Sequence, residues 1–119
     1  MGFVQVKVGV EKIAGAAVCR EVELLVDTGA LYSMLPGRLL RELGIEPSER
    51  LDFEIADGQI MYRDVGEARF VYNGRKAISK VIFGEEKDAA VLGVVTMESL
   101  GLEVDPVNKQ LRPARLIMY

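Results

Sequence analysis

Valine occupies every second position from Val4 to Val10, and the intervening residues are polar or small. A two-residue period of this kind predicts a strand over Phe3 to Val10 with one apolar face. Glu11 to Gly15 reads as a turn. Val18 to Val26 reads as the next strand, with Val18, Val22, Leu24 and Val26 pointing inward. Helical spacing is brief: Leu39 to Leu43 follows Pro36-Gly37, and Gly44 suits the position just past a helix end. Leu51 to Ile55 alternates, Asp57-Gly58 suits a type I′ turn, and Ile60 to Val65 returns as the partner strand. Arg69 to Tyr72, Asn73-Gly74 and Ala77 to Phe83 repeat that logic as a second hairpin. Glu85 to Asp88 is a charged surface loop, and Ala89 to Val95 is an apolar strand interrupted by Gly93. Thr96 is placed to cap a short helix ending at Leu100. Val104 to Pro106 and Leu111 to Ile117 close the chain as strand-like pieces. The expected class is all-β, mainly strands with one or two short helices, in a single domain spanning residues 1–119.

A weak internal echo accompanies this pattern. Leu40-Arg-Glu-Leu-Gly-Ile ends the first short helix, and Met97-Glu-Ser-Leu-Gly-Leu ends the second. Each follows an apolar segment and a glycine-containing loop, as two similar halves about a pseudo-twofold axis would.

Composition narrows the chemistry. Half of the 119 residues are hydrophobic and 28% are charged, enough for a packed core without cross-links. Histidine is absent, which excludes Ser-His-Asp and Cys-His catalysis and any histidine-containing zinc site. Acid–base work is left to carboxylates, lysine or tyrosine. Neither a metal nor another cofactor is expected. The one cysteine, Cys19, rules out an internal disulfide and reads as a strand residue in a reducing, cytoplasmic setting. With a net charge of −3 and no long Lys/Arg run, a nucleic-acid partner is not expected. No apolar run reaches the roughly 20 residues of a membrane span, and the alternating N-terminus does not read as a signal peptide.

The candidate chemistry lies in Leu24-Leu-Val-Asp-Thr-Gly-Ala-Leu-Tyr-Ser-Met-Leu35. An apolar strand ends abruptly at Asp27, and Thr28, Gly29 and Ala30 follow as a tight turn. This pattern exposes a carboxylate while burying the backbone that carries it. The other aspartates, at 52, 57, 64, 88 and 105, lack that strand-to-turn setting.

The stretch resembles the active-site loop of aspartic proteases, and Ala30 after the glycine is similar to the retroviral type. A second element, Val91-Leu92-Gly93 followed by Met97 to Leu100, resembles the hydrophobic-hydrophobic-glycine segment and short helix of retropepsin-like proteins. Phe53 to Val65, with Asp57-Gly58 at its tip, stands where that family places a flap. The resemblance runs from about Val18 to Leu111 and is closest to small, stand-alone prokaryotic forms. It implies an acid-protease barrel that is one half of a homodimer, acting on peptide or unfolded protein. Asp27 and its symmetry mate would form the catalytic dyad. Thr28 would hydrogen-bond across the dimer axis, and Gly29 would bring its N–H close to the carboxylate. Ala30, Leu31, Ala56, Asp57, Gly58, Gln59 and Leu92 would contact substrate.

Two departures support an alternative. Leu31 and Tyr32 stand where retroviral enzymes carry an acidic residue, and the tip Ala56-Asp57-Gly58-Gln59 is not glycine-rich. The alternative is a catalytically weak or inactive dimerisation or peptide-binding domain of the same fold.

Overall fold

The computed structural model describes residues 4–15 and 18–118. Its strands are β1 (Gln5–Glu11), β2 (Arg20–Val26), β3 (Ser33–Pro36), β4 (Glu49–Glu54), β5 (Ile60–Tyr72), β6 (Arg75–Gly84), β7 (Val91–Leu92), β8 (Leu102–Asp105) and β9 (Gln110–Pro113). Two short helices, α1 (Gly37–Glu42) and α2 (Val94–Ser99), complete a mainly β chain. The large sheet runs β1-β2-β7-β3-β6-β5-β4, and a further β1–β5 pairing closes its first six strands into a ring. β8 and β9 form a separate hairpin.

The valine alternation produces the result it predicts. Val4, Val6, Val8 and Val10 all turn into the core beside Leu24, Leu35, Leu40, Phe70 and Leu92. The inward set expected for the following strand is only partly realised. Leu24 is fully buried and Val22 and Val26 pack against the core, but Val18 is 68% exposed. Val18 precedes β2, which begins only where pairing with β1 starts, at Arg20 opposite Val10. Phe3 lies outside the described residues.

β5 is one continuous strand, where two pieces were expected. Gly66 and Glu67 read as a break, yet both pair with β6. Glycine is needed at position 66 because a Cβ there would lie 2.8 Å from the Glu46 carbonyl oxygen. The first part of β5, Ile60 to Asp64, pairs only with β4, so the β4–β5 hairpin extends beyond the ring. Its tip is not type I′. Gly58 has φ +88° but Asp57 does not take a positive φ, and its carboxylate accepts the Gln59 N–H at 3.0 Å. The other hairpin, with φ +47° at Asn73 and +79° at Gly74, has the two left-handed residues that type I′ requires.

Three further boundaries differ from expectation. β3 is a short strand hidden in an apolar run without alternation, held by parallel pairing to β6 and an antiparallel contact with β7. The strand expected over Ala89 to Val95 shrinks to Val91–Leu92, because α2 starts at Val94 with Gly93 as its N-cap. Thr96 therefore lies inside the helix, fully buried, and caps nothing. The last expected strand ends at Pro113, leaving Leu116, Ile117 and Met118 exposed.

The echo between the two helix ends has a structural counterpart. Gly44 and Gly101 both take positive φ, at +82° and +70°. Each donates its N–H three residues back, to Arg41 and Glu98. Leu40, Leu43 and Ile45 around the first, and Met97, Leu100 and Leu102 around the second, are buried.

Candidate active site

The Asp27 loop is built by threading β7 between β2 and β3. β7 runs parallel to β2, with Leu25 opposite Val91 and Val26 opposite Leu92. The ladder reaches Asp27 itself, whose N–H donates to the Leu92 carbonyl at 3.1 Å. The chain then turns, and Ala30 N–H donates back to the Asp27 carbonyl at 3.1 Å. Beyond the turn, Val94 and Val95 at the start of α2 donate to the carbonyls of Ala30 and Leu31 at 2.9 and 3.0 Å. The loop is thus held on both sides by the Leu92–Val95 segment.

These bonds leave the carboxylate outside. Asp27, Thr28 and Gly29 are exposed and Ala30 is half-buried. Gly29 N–H donates to Asp27 Oδ1 at 2.9 Å, and a Cβ on Gly29 would stand 3.3 Å from that oxygen. Leu31 is 58% exposed, and the half-buried Tyr32 lies under the Lys80 ammonium, 5.7 Å from its ring centre.

The other predicted contact residues divide. Ala56, Asp57, Gly58 and Gln59 sit together, exposed, at the tip of the β4–β5 hairpin. Leu92 does not join them: its side chain is fully buried in the core, so only its backbone reaches the loop. This corrects its assignment as a contact residue: both residues of β7 are buried, so neither side chain lies at the loop surface. Beneath the hairpin lies an apolar groove of about 220 Å³, walled by Phe53, Ile55 and Met61 on the hairpin and Met34 and Ile82 on the ring. Met34 pairs with Val91, which pairs in turn with Leu25, two residues before Asp27.

Sequence reasoning missed the hydroxyl cluster behind the loop. Ser33, Ser79 and Thr96 are buried. Thr96 Oγ1 is 2.6 Å from Ser33 Oγ and 2.9 Å from Ser79 Oγ, and Ser33 Oγ accepts the Gly93 N–H at 2.9 Å. The one sequence signal was a threonine among the apolar residues of Val94 to Met97. Replacing Thr96 with Val keeps the shape but strips both serines of a partner. Loss of about 1–2 kcal/mol in urea unfolding is expected, since two buried hydroxyl bonds are lost while Ser33 Oγ keeps the Gly93 N–H and Ser79 Oγ keeps the Lys80 carbonyl at 3.4 Å.

The far end of the groove is closed by an ion pair. Arg63 Nε donates to Asp88 Oδ2 at 3.0 Å, and both side chains are largely buried. The Arg63 hydrogen bond, aided by the Glu85 N–H, holds the Asp88 carboxyl below its ordinary range. A depressed folded-state value stabilises the fold above the ordinary carboxylate range near pH 4, and that contribution disappears as pH falls through the lowered value. Asp88→Asn should therefore lower Tm by a few degrees at pH 7, with the gap to wild type closing below about pH 4.

The sequence profile of a family described as aspartyl protease matches residues 6–104. Comparison with curated proteins and with solved structures returned no match. Among the described residues no helix is long and apolar enough to cross a membrane. The family match spans β1 through β8 and takes in both the Asp27 loop and the Leu92–Val95 segment that holds it, so the chain belongs to the retropepsin-like aspartyl protease family.

Proposed function

We propose that the chain is a homodimeric aspartic endopeptidase that hydrolyses extended peptide segments. The observation that carries the reading is the exposed Asp27 carboxylate, fixed at the end of β2 with a Gly29 N–H on one oxygen. Each chain contributes one such loop. Twofold association would set Asp27 against Asp27 of the partner subunit, where two carboxyls share one proton. The ionised carboxylate takes a proton from water as that water attacks the scissile carbonyl. The protonated one donates to the carbonyl oxygen, and the tetrahedral intermediate then collapses as a proton passes to the leaving amine. Gly29 N–H remains on the anionic oxygen, and Thr28 links the two loops across the axis. The β4–β5 hairpin serves as the flap, with Ala56 to Gln59 over the substrate and the apolar groove receiving one of its side chains. A reducing cytoplasmic setting accords with the single free cysteine, Cys19.

The tail from Leu111 onward is the proposed second part of the dimer interface. Leu111 itself is buried in its own chain, so Leu116, Ile117 and Met118 are the residues available. Stable interfaces bury on the order of 1,200–2,000 Å² in total. Sedimentation at micromolar concentration should give twice the 13.1 kDa chain mass. A strict monomer at high micromolar concentration would remove the dyad.

A further inference from the structure

The buried hydroxyls of Ser33, Ser79 and Thr96 join three elements: the start of β3, the middle of β6 and α2. Each hydroxyl carries one proton. Ser79 donates its proton to the Lys80 carbonyl at 3.4 Å, so it accepts from Thr96 at 2.9 Å. With its own proton committed, Thr96 accepts from Ser33 at 2.6 Å, and Ser33 accepts the Gly93 N–H at 2.9 Å. The reverse order would leave the Ser33 proton without an acceptor among the described residues. The result is one directed chain, from Gly93 N–H through Ser33, Thr96 and Ser79 to the Lys80 carbonyl. Each bond in such a chain polarises the next.

This chain starts on the peptide that holds the Asp27 loop. The Gly93 N–H and the Leu92 carbonyl belong to one planar peptide unit. Ser33 takes the N–H, and the carbonyl accepts the Asp27 N–H at 3.1 Å. A single rigid plate therefore links the hydroxyls to the Asp27 backbone. One residue further on, the Val94 N–H holds the Ala30 carbonyl at 2.9 Å. We infer that Thr96 is a positioning residue for Asp27: through Ser33 and the Leu92–Gly93 peptide, its hydroxyl sets the angle at which the Asp27 backbone leaves β2. The inference rests on the peptidase reading and gives the buried hydroxyls a part in that chemistry. An apolar trio of matching shape would fill the same space without burying polar groups, so space-filling gives no reason for hydroxyls here. Direction does. A packing contact leaves a peptide plane free to tilt, whereas a hydrogen bond at each end fixes it. In a symmetric dimer a tilt would displace both carboxyls of the dyad at once.

The test compares Thr96→Val, which keeps the shape and removes the hydroxyl, with Thr96→Ser, which keeps the hydroxyl and removes the methyl. Both lose some stability, so stability does not separate them. Cleavage of an unfolded protein is measured well below either Tm. In Thr96→Val, kcat should fall roughly ten-fold with KM little changed, and in Thr96→Ser kcat should stay near wild type. Amide hydrogen exchange supplies a readout free of catalysis. Protection of the Asp27 and Gly93 amides should drop in Thr96→Val by more than protection of the β5–β6 ladder amides, and in Thr96→Ser it should not. Equal activity of the two variants, a loss confined to KM, or exchange that follows global stability alone overturns the positioning role and leaves the peptidase reading intact. Absence of cleavage by wild type overturns the peptidase reading, and exchange at Asp27 and Gly93 then decides by itself whether the hydroxyls hold the loop.

Discussion

Asp27→Asn should reduce peptide hydrolysis by on the order of 10³-fold or more while leaving the fold unchanged. The amide has nearly the size of the carboxylate and keeps an oxygen for the Gly29 N–H. Asp27 is exposed, and its backbone is anchored through Leu92 and Ala30 rather than through its side chain. Circular dichroism and solution mass should therefore match wild type. The chemistry should not, because an amide cannot accept a proton from the attacking water. In a homodimer one substitution also changes both halves of the dyad. The assay is cleavage of an unfolded protein such as casein at mildly acidic pH. Retention of more than a few per cent of wild-type kcat by a clean sample would move the reaction to another group, and absence of cleavage by wild type would favour the binding-domain alternative.

Gly93→Ala should be the most damaging single methyl addition near the site. Gly93 has φ −87° and ψ 169°, a conformation open to any residue, so backbone freedom is not the reason for glycine here. Proximity is. A Cβ would lie 2.4 Å from the Tyr32 carbonyl carbon, 2.6 Å from its oxygen and 2.8 Å from Ser33 N. All three are backbone atoms in the segment leading from the Asp27 loop into β3, and they cannot move aside by changing rotamer. Relief requires β7 and β3 to separate, which strains the Gly93 N–H bond to Ser33 and the hydroxyl cluster behind it. A loss of about 3 kcal/mol or more is expected. It should register as a lower urea midpoint, and activity should fall further than stability alone accounts for as the Ala30–Tyr32 segment shifts. A variant as stable as wild type would mean that the β3–β7 contact is more compliant than its geometry indicates.

The candidate loop stands out in the sequence more plainly than the strands that hold it. Asp27-Thr28-Gly29 stands out because an apolar strand ends on a carboxylate, a local pattern needing no knowledge of distant partners. β3 was invisible for the opposite reason. Its pairing to Val81–Gly84 is long-range and parallel, and Tyr32 to Pro36 shows neither alternation nor a turn signal. Gly66 misled because a glycine within a strand reads as a break, whereas here it admits the Glu46–Pro47 backbone. Thr96 misled because its hydroxyl suggested a helix start, while its partners, Ser33 and Ser79, lie far away along the chain. Leu92 was recognised by motif, but which of its faces meets the loop depends on the register of a two-residue strand.

Closing β1 onto β5 has a consequence for self-association. In the large sheet, among the described residues, β4 alone has a single neighbouring strand, so its whole outer side is an open edge where another chain could add. Its sequence, Glu49-Arg-Leu-Asp-Phe-Glu54, guards that edge. Two copies paired antiparallel about its midpoint would set Glu49 against Glu54 at both ends, an arrangement that like-charge repulsion opposes. These carboxylates discourage stacking into fibrils, and they direct any twofold contact toward other surfaces of the barrel.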